Sequence, residues 1–230
     1  MNTTKFVILN AGEGHRTKSY GPKCLFELAN KDTILERQIK NIKRAFTEAD
    51  IYYILGFESH KVLKKNKDKI DKSNHIITDY QNTNQTKAIY DSIIRFNIED
   101  CFIVFGDIVF DEKHFPQKPT TTTLYTSQNH VKNKIGINSN NGEASYMMWG
   151  LKNTWSEICY LNKDMINFIR NEVKSNSFWN RAYLIEIINY AIDCGHSVDV
   201  EPFGSEIIDI DKLNDLEVAN AKFNIGKIRN

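Results

Sequence analysis

Cysteine, proline and long apolar runs are all scarce in this chain of 230 residues. The four cysteines lie far apart and form no Cys-x-x-Cys pair, which argues against a zinc site or a redox motif. The first apolar run, residues 6–9, is too short for the core of a signal peptide. No run approaches the roughly 20 residues that a membrane helix needs. We therefore expect a cytoplasmic protein with no membrane partner.

An excess of either charge is also lacking, because 30 basic and 29 acidic residues leave a formal net charge of +1. No field around the whole molecule attracts nucleic acid, so we expect no nucleic-acid partner and a strictly local anion site. Linkers, repeats and low-complexity tracts are missing as well. Residues 1–230 are therefore predicted to form a single domain.

Strands and helices alternate in the first half of the chain, to about residue 110. The predicted elements are, in order, strand 6–9, helix 34–46, strand 51–55, helix 61–70, strand 75–78, helix 87–96 and strand 101–105. Thr33 and Glu36 have the spacing of a capping box at the start of the first helix. The alternation predicts parallel pairing in a three-layer α/β core, with ligands at the carboxyl ends of the strands.

The second half has a different pattern. Its predicted elements are a β-rich segment 121–125, a hairpin lobe at about 134–151, helices 163–173 and 177–194, strands 197–200 and 206–210, and helix 212–223. Asn141-Gly142 is a strong signal for the turn of the hairpin.

A glycine-rich loop follows the first strand and is the most informative feature of the sequence. Ala11-Gly12-Glu13-Gly14 lets backbone N–H groups approach a polyanion, because glycine has no Cβ. Arg16 adds a planar fork for phosphate oxygens, and Lys23 adds a compact charge. A dinucleotide-binding loop would need a third glycine where Thr17 stands, and the Gly-Lys-Ser/Thr of a P-loop is absent. The loop predicts a nucleoside triphosphate held by its phosphates.

The same residues resemble the fingerprint of the nucleotidyltransferase (NTP transferase) family, which is Ala-Gly-x-Gly-x-Arg followed by Pro-Lys. That family joins a phosphorylated sugar or small alcohol to a nucleotide. The resemblance extends to Gly106-Asp107, to residues 155–158, to residues 208–211 and to Asp215-Leu216. The short gap between Arg16 and Pro22 is closer to cytidylyltransferases for phosphocholine and other small phosphomonoesters than to the sugar-phosphate enzymes, which favours CTP.

The resemblance implies a GT-A-like, Rossmann-related fold: a mixed sheet in a three-layer α/β/α arrangement with a β-hairpin lobe. Residues 1–110 would then bind the nucleotide, and residues 111–230 the acceptor. Arg16 and Lys23 would be catalytic, with Arg16 at the β- and γ-phosphates and Lys23 at the α-phosphate. The residues implied to bind nucleotide are Asn10, Ala11, Gly12, Glu13, Gly14, Gln81, Asn82, Asn84 and Thr86. Asn10 stands where alanine is usual, which suggests altered contacts to the base or ribose.

Three aspartates are candidate ligands for Mg²⁺. Asp107 ends an apolar strand, and Asp209 and Asp211 lie two apart on a β-like segment, hence on one face. Hard oxygen ligands from separate segments suit Mg²⁺. Two alternatives stay open: a lone aspartate at a strand end is often a turn former, and Asp211 could instead cap the last helix. The segment after Asp107 lacks the Asp-x-Asp of related glycosyltransferases, which counts against sugar transfer.

The implied acceptor site comprises Tyr146, Trp149, Trp155 and Glu157. Aromatic side chains there could hold a quaternary ammonium by cation–π contact, or a sugar or amino-acid body, although core packing is the commoner use of such residues.

We predict a Mg²⁺-dependent cytidylyltransferase that couples CTP to a small phosphomonoester, such as phosphocholine or phosphoglutamine, and releases pyrophosphate. A phosphomonoester has a second pKa of about 6, so as nucleophile it needs no general base. Through the family, the product is associated with surface polysaccharide or capsule. One alternative is a sugar-1-phosphate uridylyl- or thymidylyltransferase, and another is a non-catalytic nucleotide-binding regulatory module. The sequence is compatible with a homo-oligomer.

Overall fold

The computed structural model describes residues 3–14, 18–111, 115–128 and 134–226. Its strands are β1 Lys5–Asn10, β2 Asp50–Leu55, β3 His75–Ile77, β4 Cys101–Phe105, β5 Ile108–Phe110, β6 Thr123–Thr126, β7 Ile135–Asn140, β8 Glu143–Trp149, β9 Trp155–Leu161, β10 Asp199–Pro202 and β11 Ile207–Asp209. Its helices are α1 Ile34–Ala45, α2 Ser59–Lys65, α3 Gln85–Arg95, α4 Lys163–Ser175, α5 Leu184–Asp193 and α6 Leu213–Lys222.

A nine-stranded mixed sheet runs through the described part of the chain in the order β3-β2-β1-β4-β9-β6-β10-β8-β7. The first four strands of this order are parallel, as predicted. Strand β9 lies antiparallel between β4 and β6 and joins the two halves. The hairpin β7–β8 continues the same sheet through β10, and β5 pairs separately with β11.

Strand β1 shows why the molecule has three layers. Successive side chains point to opposite faces of a sheet, and Phe6, Val7 and Ile8 are all fully buried. Phe6 and Ile8 belong to the apolar cluster that includes α1, whereas Val7 belongs to the cluster of α3, α4 and α5. Helices therefore cover both faces, which confirms the predicted α/β/α arrangement.

Helix α1 begins where the capping-box pattern predicts. The Thr33 hydroxyl accepts a hydrogen bond from the Glu36 N–H at 3.1 Å, and the Glu36 carboxylate accepts one from the Thr33 N–H at 3.0 Å. Two buried amides of α1 fix the turn between β4 and β5. Gln38 donates to the carbonyls of Phe105 and Ile108, each at 2.9 Å, and Asn41 donates to Phe110 at 2.8 Å.

Two predicted helices have different bounds. The helix predicted at 61–70 is observed at Ser59–Lys65. At its end the Val62 carbonyl accepts from the Asn66 N–H at 3.1 Å and also from the Asn66 side-chain amide at 3.0 Å, so the side chain competes with the backbone for this carbonyl. The helix predicted at 177–194 is instead a 3₁₀ turn, Ser177–Arg181, followed by α5. Glu186 starts α5 by accepting from the Tyr183 N–H at 2.6 Å.

Strands β5 and β9 are not predicted from the sequence pattern. Strand β5 has only three residues, and the apolar run of β9 is interrupted by Glu157. The hairpin turn is predicted correctly: Asn141 and Gly142 have φ angles of 50° and 84°, as a two-residue turn of this kind requires. Among the described residues, no helix combines the length and apolar character needed to cross a bilayer.

Gly106→Ala should destabilise the fold. A Cβ at this position would lie 1.8 Å from Asn10 Oδ1 and 2.6 Å from the Leu9 carbonyl oxygen, which belongs to the backbone of β1. We expect a loss of about 1–3 kcal/mol in the free energy of unfolding, measured by denaturant titration. Gly12→Ala is the matched control, because a Cβ there meets nothing within 4 Å. Equal stability of the two variants would contradict the tight contact at Gly106.

Candidate active site

One cleft lies at the carboxyl ends of β1 and β4, where ligands of parallel sheets collect. Its inner part is a cavity of about 210 Å³ between the glycine loop and the segment that leads into α3. A wider cavity of about 1240 Å³ opens from it toward the hairpin and the segment after β11. Gly12, Gly14, Lys23 and Asp107 line both parts.

Backbone pairing brings the acidic residues to this cleft. Asp209 lies opposite Ile108 in the β5–β11 pair, and the Asp107 carbonyl accepts from the Ile210 N–H at 2.9 Å. The residues on either side of Ile210 therefore reach the end of β4. Asp107, Glu157 and Asp209 each offer a carboxylate oxygen, and these atoms all lie within 4.8 Å of one another.

Two lysines face the acidic residues. Lys23 Nζ lies 2.9 Å from Asp107 Oδ2 and 3.2 Å from Asp211 Oδ1. Lys134 Nζ forms ion pairs with Asp209 Oδ2 and, at 3.1 Å, with Asp211 Oδ2. Burial disfavours the charged form of Lys23, but Asp107 and Asp211 outweigh it and raise the pKa of this lysine above its usual value. Burial likewise opposes the charge on Asp211, yet Lys134 and Lys23 hold its pKa below the usual range.

The group Asp107, Glu157 and Asp209 fits a divalent cation. Asp209 Oδ1 is buried and has no hydrogen-bond partner among the described residues, so it is available as a ligand. Three hard oxygen donors suit Mg²⁺. The Asp211 carboxylate is not one of these three, so its role as a metal ligand stays a prediction, and it does not cap α6. The N–H of Asp211 and that of Lys212 instead donate to the Asp215 carboxylate, at 2.8 and 2.7 Å.

Glu157, which the resemblance assigns to the acceptor, lies in an unusual position. Its φ of 61° is left-handed, a conformation uncommon for residues other than glycine and frequent at functional sites. The strand is held around it by its neighbours: the Trp155 indole N–H donates to the Ile158 carbonyl at 3.0 Å. Burial, reinforced by the negative charge of Asp107, raises the pKa of Glu157 to about 8 despite the two lysines.

Most predicted site residues come together in the cleft. Those that line it are Asn10, Ala11, Gly12, Glu13, Gly14, Lys23, Gln81, Asn82, Asn84, Asp107, Trp149, Trp155, Glu157, Asp209 and Asp211. Arg16 lies outside the described residues, so its role stays a prediction.

Two predicted residues do not line the cleft. Thr86 is fully buried, and its hydroxyl donates to the Tyr183 carbonyl at 3.0 Å, so it joins α3 to the segment before α5. Asn84, not Thr86, caps α3 by accepting from the Gln85 N–H at 2.9 Å. Tyr146 is 42% exposed on β8 and is not among the residues that line either cavity.

Several cleft residues have no signal in the sequence. Lys134, Tyr80, Arg181 and Tyr183 line the wide cavity, but each is one polar or aromatic residue among many of its type. Glu157 is predicted for the acceptor and not for a metal, because only the pairing of β9 with β4 brings its carboxylate close to that of Asp107.

Solved structures with the same architecture cover nearly the whole chain. A CTP:phosphocholine cytidylyltransferase from Streptococcus pneumoniae superposes with a TM-score of 0.78, at 19% identity over 96% of this chain and 99% of that one. The chain has the nucleotidyltransferase fold. An inositol-1-phosphate CTP transferase from T. maritima has a TM-score of 0.74, at 15% identity and 98% coverage of both chains. A UDP-glucose pyrophosphorylase complexed with UDP-glucose has a TM-score of 0.71, at 14% identity over 97% and 99% of the two chains.

No family model matches the sequence, and no curated protein matches it either. At these identities the solved structures show the fold alone.

Glu157→Gln should change how stability depends on pH. The folded protein holds the Glu157 proton up to about pH 8, whereas the unfolded chain releases it near 4.5. The folded state thus binds more protons in this window, and the free energy of unfolding falls as pH rises. Glutamine does not titrate, so in Glu157→Gln this contribution to the fall in the free energy of unfolding is absent. Denaturant titrations between pH 5 and 8, with a chelator present, should give a flatter profile for Glu157→Gln.

Glu217→Gln on the exposed face of α6 serves as the control and should keep the parent profile. If the Glu157→Gln profile had the parent slope, the raised pKa would be wrong.

Proposed function

We propose that this protein is a nucleotidyltransferase that transfers a nucleotidyl group from CTP to a small phosphomonoester. The observation that carries the proposal is the convergence of Lys23, the glycine loop and three carboxylates on one cleft, with Lys23 Nζ 2.9 Å from Asp107. A cleft of this kind can hold a polyphosphate and neutralise its charge at one end. A nucleotide-binding regulatory module would not need Lys23 and the carboxylates together.

In the proposed reaction, an oxygen of the phosphomonoester attacks the α-phosphorus of CTP. The bond from that phosphorus to the bridging oxygen of the β-phosphate breaks, and pyrophosphate leaves with the electron pair. The glycine loop binds the β- and γ-phosphates through backbone N–H groups, and Lys23 binds at the α-phosphate. Lys23 is partly buried, so its charge acts where water screens it little. Positioning and charge stabilisation supply most of the rate in such chemistry.

Asp107, Glu157 and Asp209 would hold the divalent cation, which when bound supplies positive charge beside the reacting phosphates. Magnesium is the cation that we propose, because the donors are all carboxylate oxygens and the substrate is a triphosphate.

The inner cavity supports a pyrimidine nucleotide. Its volume is small, about 210 Å³, and it is bounded by Asn10, Tyr80, Thr83 and Gln85. Neither amide atom of Asn10 has a hydrogen-bond partner among the described residues, although the side chain is only 7% exposed. An amide both donates and accepts, as the edge of cytosine does. Two of the solved structures with this fold are described as CTP enzymes.

The wide cavity would receive the acceptor. Trp149 is 62% exposed at its wall, and Trp155 lines it from β9, so an aromatic surface is available for a quaternary ammonium such as that of phosphocholine. We propose a product that serves surface polysaccharide or capsule assembly. A sugar-1-phosphate acceptor with UTP or dTTP is the second candidate, since a volume of about 1240 Å³ also accommodates a hexose.

The direct test is to incubate the protein with each nucleoside triphosphate, Mg²⁺ and a set of phosphomonoesters, and to measure pyrophosphate. We expect pyrophosphate release with CTP and a small phosphomonoester. If no combination of nucleoside triphosphate and phosphomonoester released pyrophosphate, the proposed function would be wrong.

Lys23→Ala should lower kcat by roughly 10²–10³, as the loss of one preorganised charge at a transition state does. Circular dichroism must first show that this variant is folded, because Asp107 and Asp211 lose a partner.

Asp209→Asn and Asp211→Asn should separate the two aspartates. Binding of Mn²⁺, followed by electron paramagnetic resonance, reports on the carboxylate site without turnover. Asp209→Asn should weaken Mn²⁺ binding by roughly 10- to 100-fold because a ligand oxygen is lost. Asp211→Asn should change it by less than about tenfold, since Asp211 pairs with the two lysines. An equal loss in both variants would make Asp211 a ligand as well.

A further inference from the structure

We propose that Lys134 binds the phosphate of the acceptor and is thus a second substrate-binding cation of this site. The inference deepens the proposed function and rests on it. Four observations carry it: where the backbone of Lys134 is held, what its ammonium contacts, how Asp211 lies between the two lysines, and which part of the cleft each lysine lines.

The backbone of Lys134 is fixed by the base of the hairpin. Its carbonyl accepts a hydrogen bond from the Gly150 N–H at 2.9 Å, and the next residue, Ile135, pairs with Trp149. Trp149 is part of the acceptor wall. The same strand pairing therefore holds the lysine backbone and the aromatic surface together, while the four-carbon stem leaves the ammonium able to turn.

The ammonium of Lys134 points into the cleft, with the side chain 23% exposed. It reaches across to Asp209 and Asp211, which lie 75 and 77 residues further along the chain. A surface lysine would gain little from holding its long side chain in such a place. The contacts are instead those of a cation held ready at a site for anions.

Asp211 lies between the two lysines. Its Oδ1 contacts Lys23 at 3.2 Å, and its Oδ2 contacts Lys134 at 3.1 Å. One carboxylate thus engages both ammonium groups, one through each oxygen. A phosphate group presents the same kind of oxygens with more charge, so bound phosphates can replace Asp211 at either lysine. Asp211 therefore sets the spacing of two cations that each receive one phosphate.

The two lysines line different parts of the cleft. Lys23 lines both the inner and the wide cavity, whereas Lys134 lines only the wide one, near Trp149 and Trp155. The nucleotide occupies the inner cavity in the proposed reaction. Lys23 is therefore assigned to the nucleotide and Lys134 to the acceptor, and the attacking phosphate is held next to the α-phosphate despite their mutual repulsion.

The test uses inorganic phosphate as the probe and isothermal titration calorimetry as the measurement, with Mg²⁺ present. Phosphate is titrated both with and without α,β-methylene-CTP, which fills the nucleotide site without reacting. Lys134→Met keeps the length and apolar stem but removes the charge, and Lys134→Arg keeps the charge. Lys212→Met is the matched control. Lys212 lines the same cavity, but it forms no ion pair with Asp107, Asp209 or Asp211.

We expect Lys134→Met to weaken phosphate binding by roughly 10- to 100-fold, the usual size of a lost charged hydrogen bond. Lys134→Arg should recover most of that loss, and Lys212→Met should show little of it. The affinities for α,β-methylene-CTP and for Mn²⁺ should stay within about threefold in Lys134→Met. In turnover, the same variant should raise KM for the acceptor and leave KM for CTP unchanged.

Four results would overturn the inference. The first is that the parent protein does not bind phosphate, and the second is that Lys134→Met binds phosphate as well as the parent does. The third is an equal loss of nucleotide affinity in Lys134→Met. The fourth is markedly tighter Mn²⁺ binding in that variant, which would make Lys134 an occupant of the cation site. Failure of the proposed function would give a different result. Phosphate binding would still depend on Lys134, but no combination of substrates would release pyrophosphate.

Discussion

The ion pair between Lys23 and Asp107 joins two segments that lie 84 residues apart, and the arrangement of the cleft depends on it. Lys23 follows the glycine loop, and Asp107 lies in the turn just after β4, so the pair fixes the loop against the strand ends. Asp211 extends the pair into a chain of alternating charges that ends at Lys134 and Asp209. A buried charge is costly unless it is paired, which is why these five side chains hold one another in place.

Asp107 lies in the turn between β4 and β5, and helix α1 sets the position of this turn. Gln38 donates to the carbonyls before and after this turn, and Gly106 allows the backbone to pass close to Asn10. Helix α1 contributes no side chain to the cleft, yet its amides replace hydrogen bonds that a regular strand would have supplied. The turn that carries the Asp107 carboxylate is therefore braced by a helix.

The sequence predicted the features that depend on local chemistry. The glycine loop, the capping box of α1, the Asn141-Gly142 turn and the strand that precedes Asp107 follow from residue types at short spacing. The features that depend on tertiary pairing could not be predicted. Glu157 becomes a candidate ligand because β9 lies beside β4, and Thr86 leaves the cleft because its hydroxyl bonds to a segment 97 residues away.

The hairpin turn at Asn141-Gly142 lies at the opposite end of β7 and β8 from the cleft. Together with the one-residue shift in pairing between Asn138 and Ser139, it sets the register of these strands at the cleft. A slip of one residue would exchange the faces of β8, presenting Met148 where Trp149 now stands, and would displace the backbone that carries Lys134. In the function that we propose, a substitution at that distant turn would change the specificity for the acceptor and leave the residues around the glycine loop unaffected.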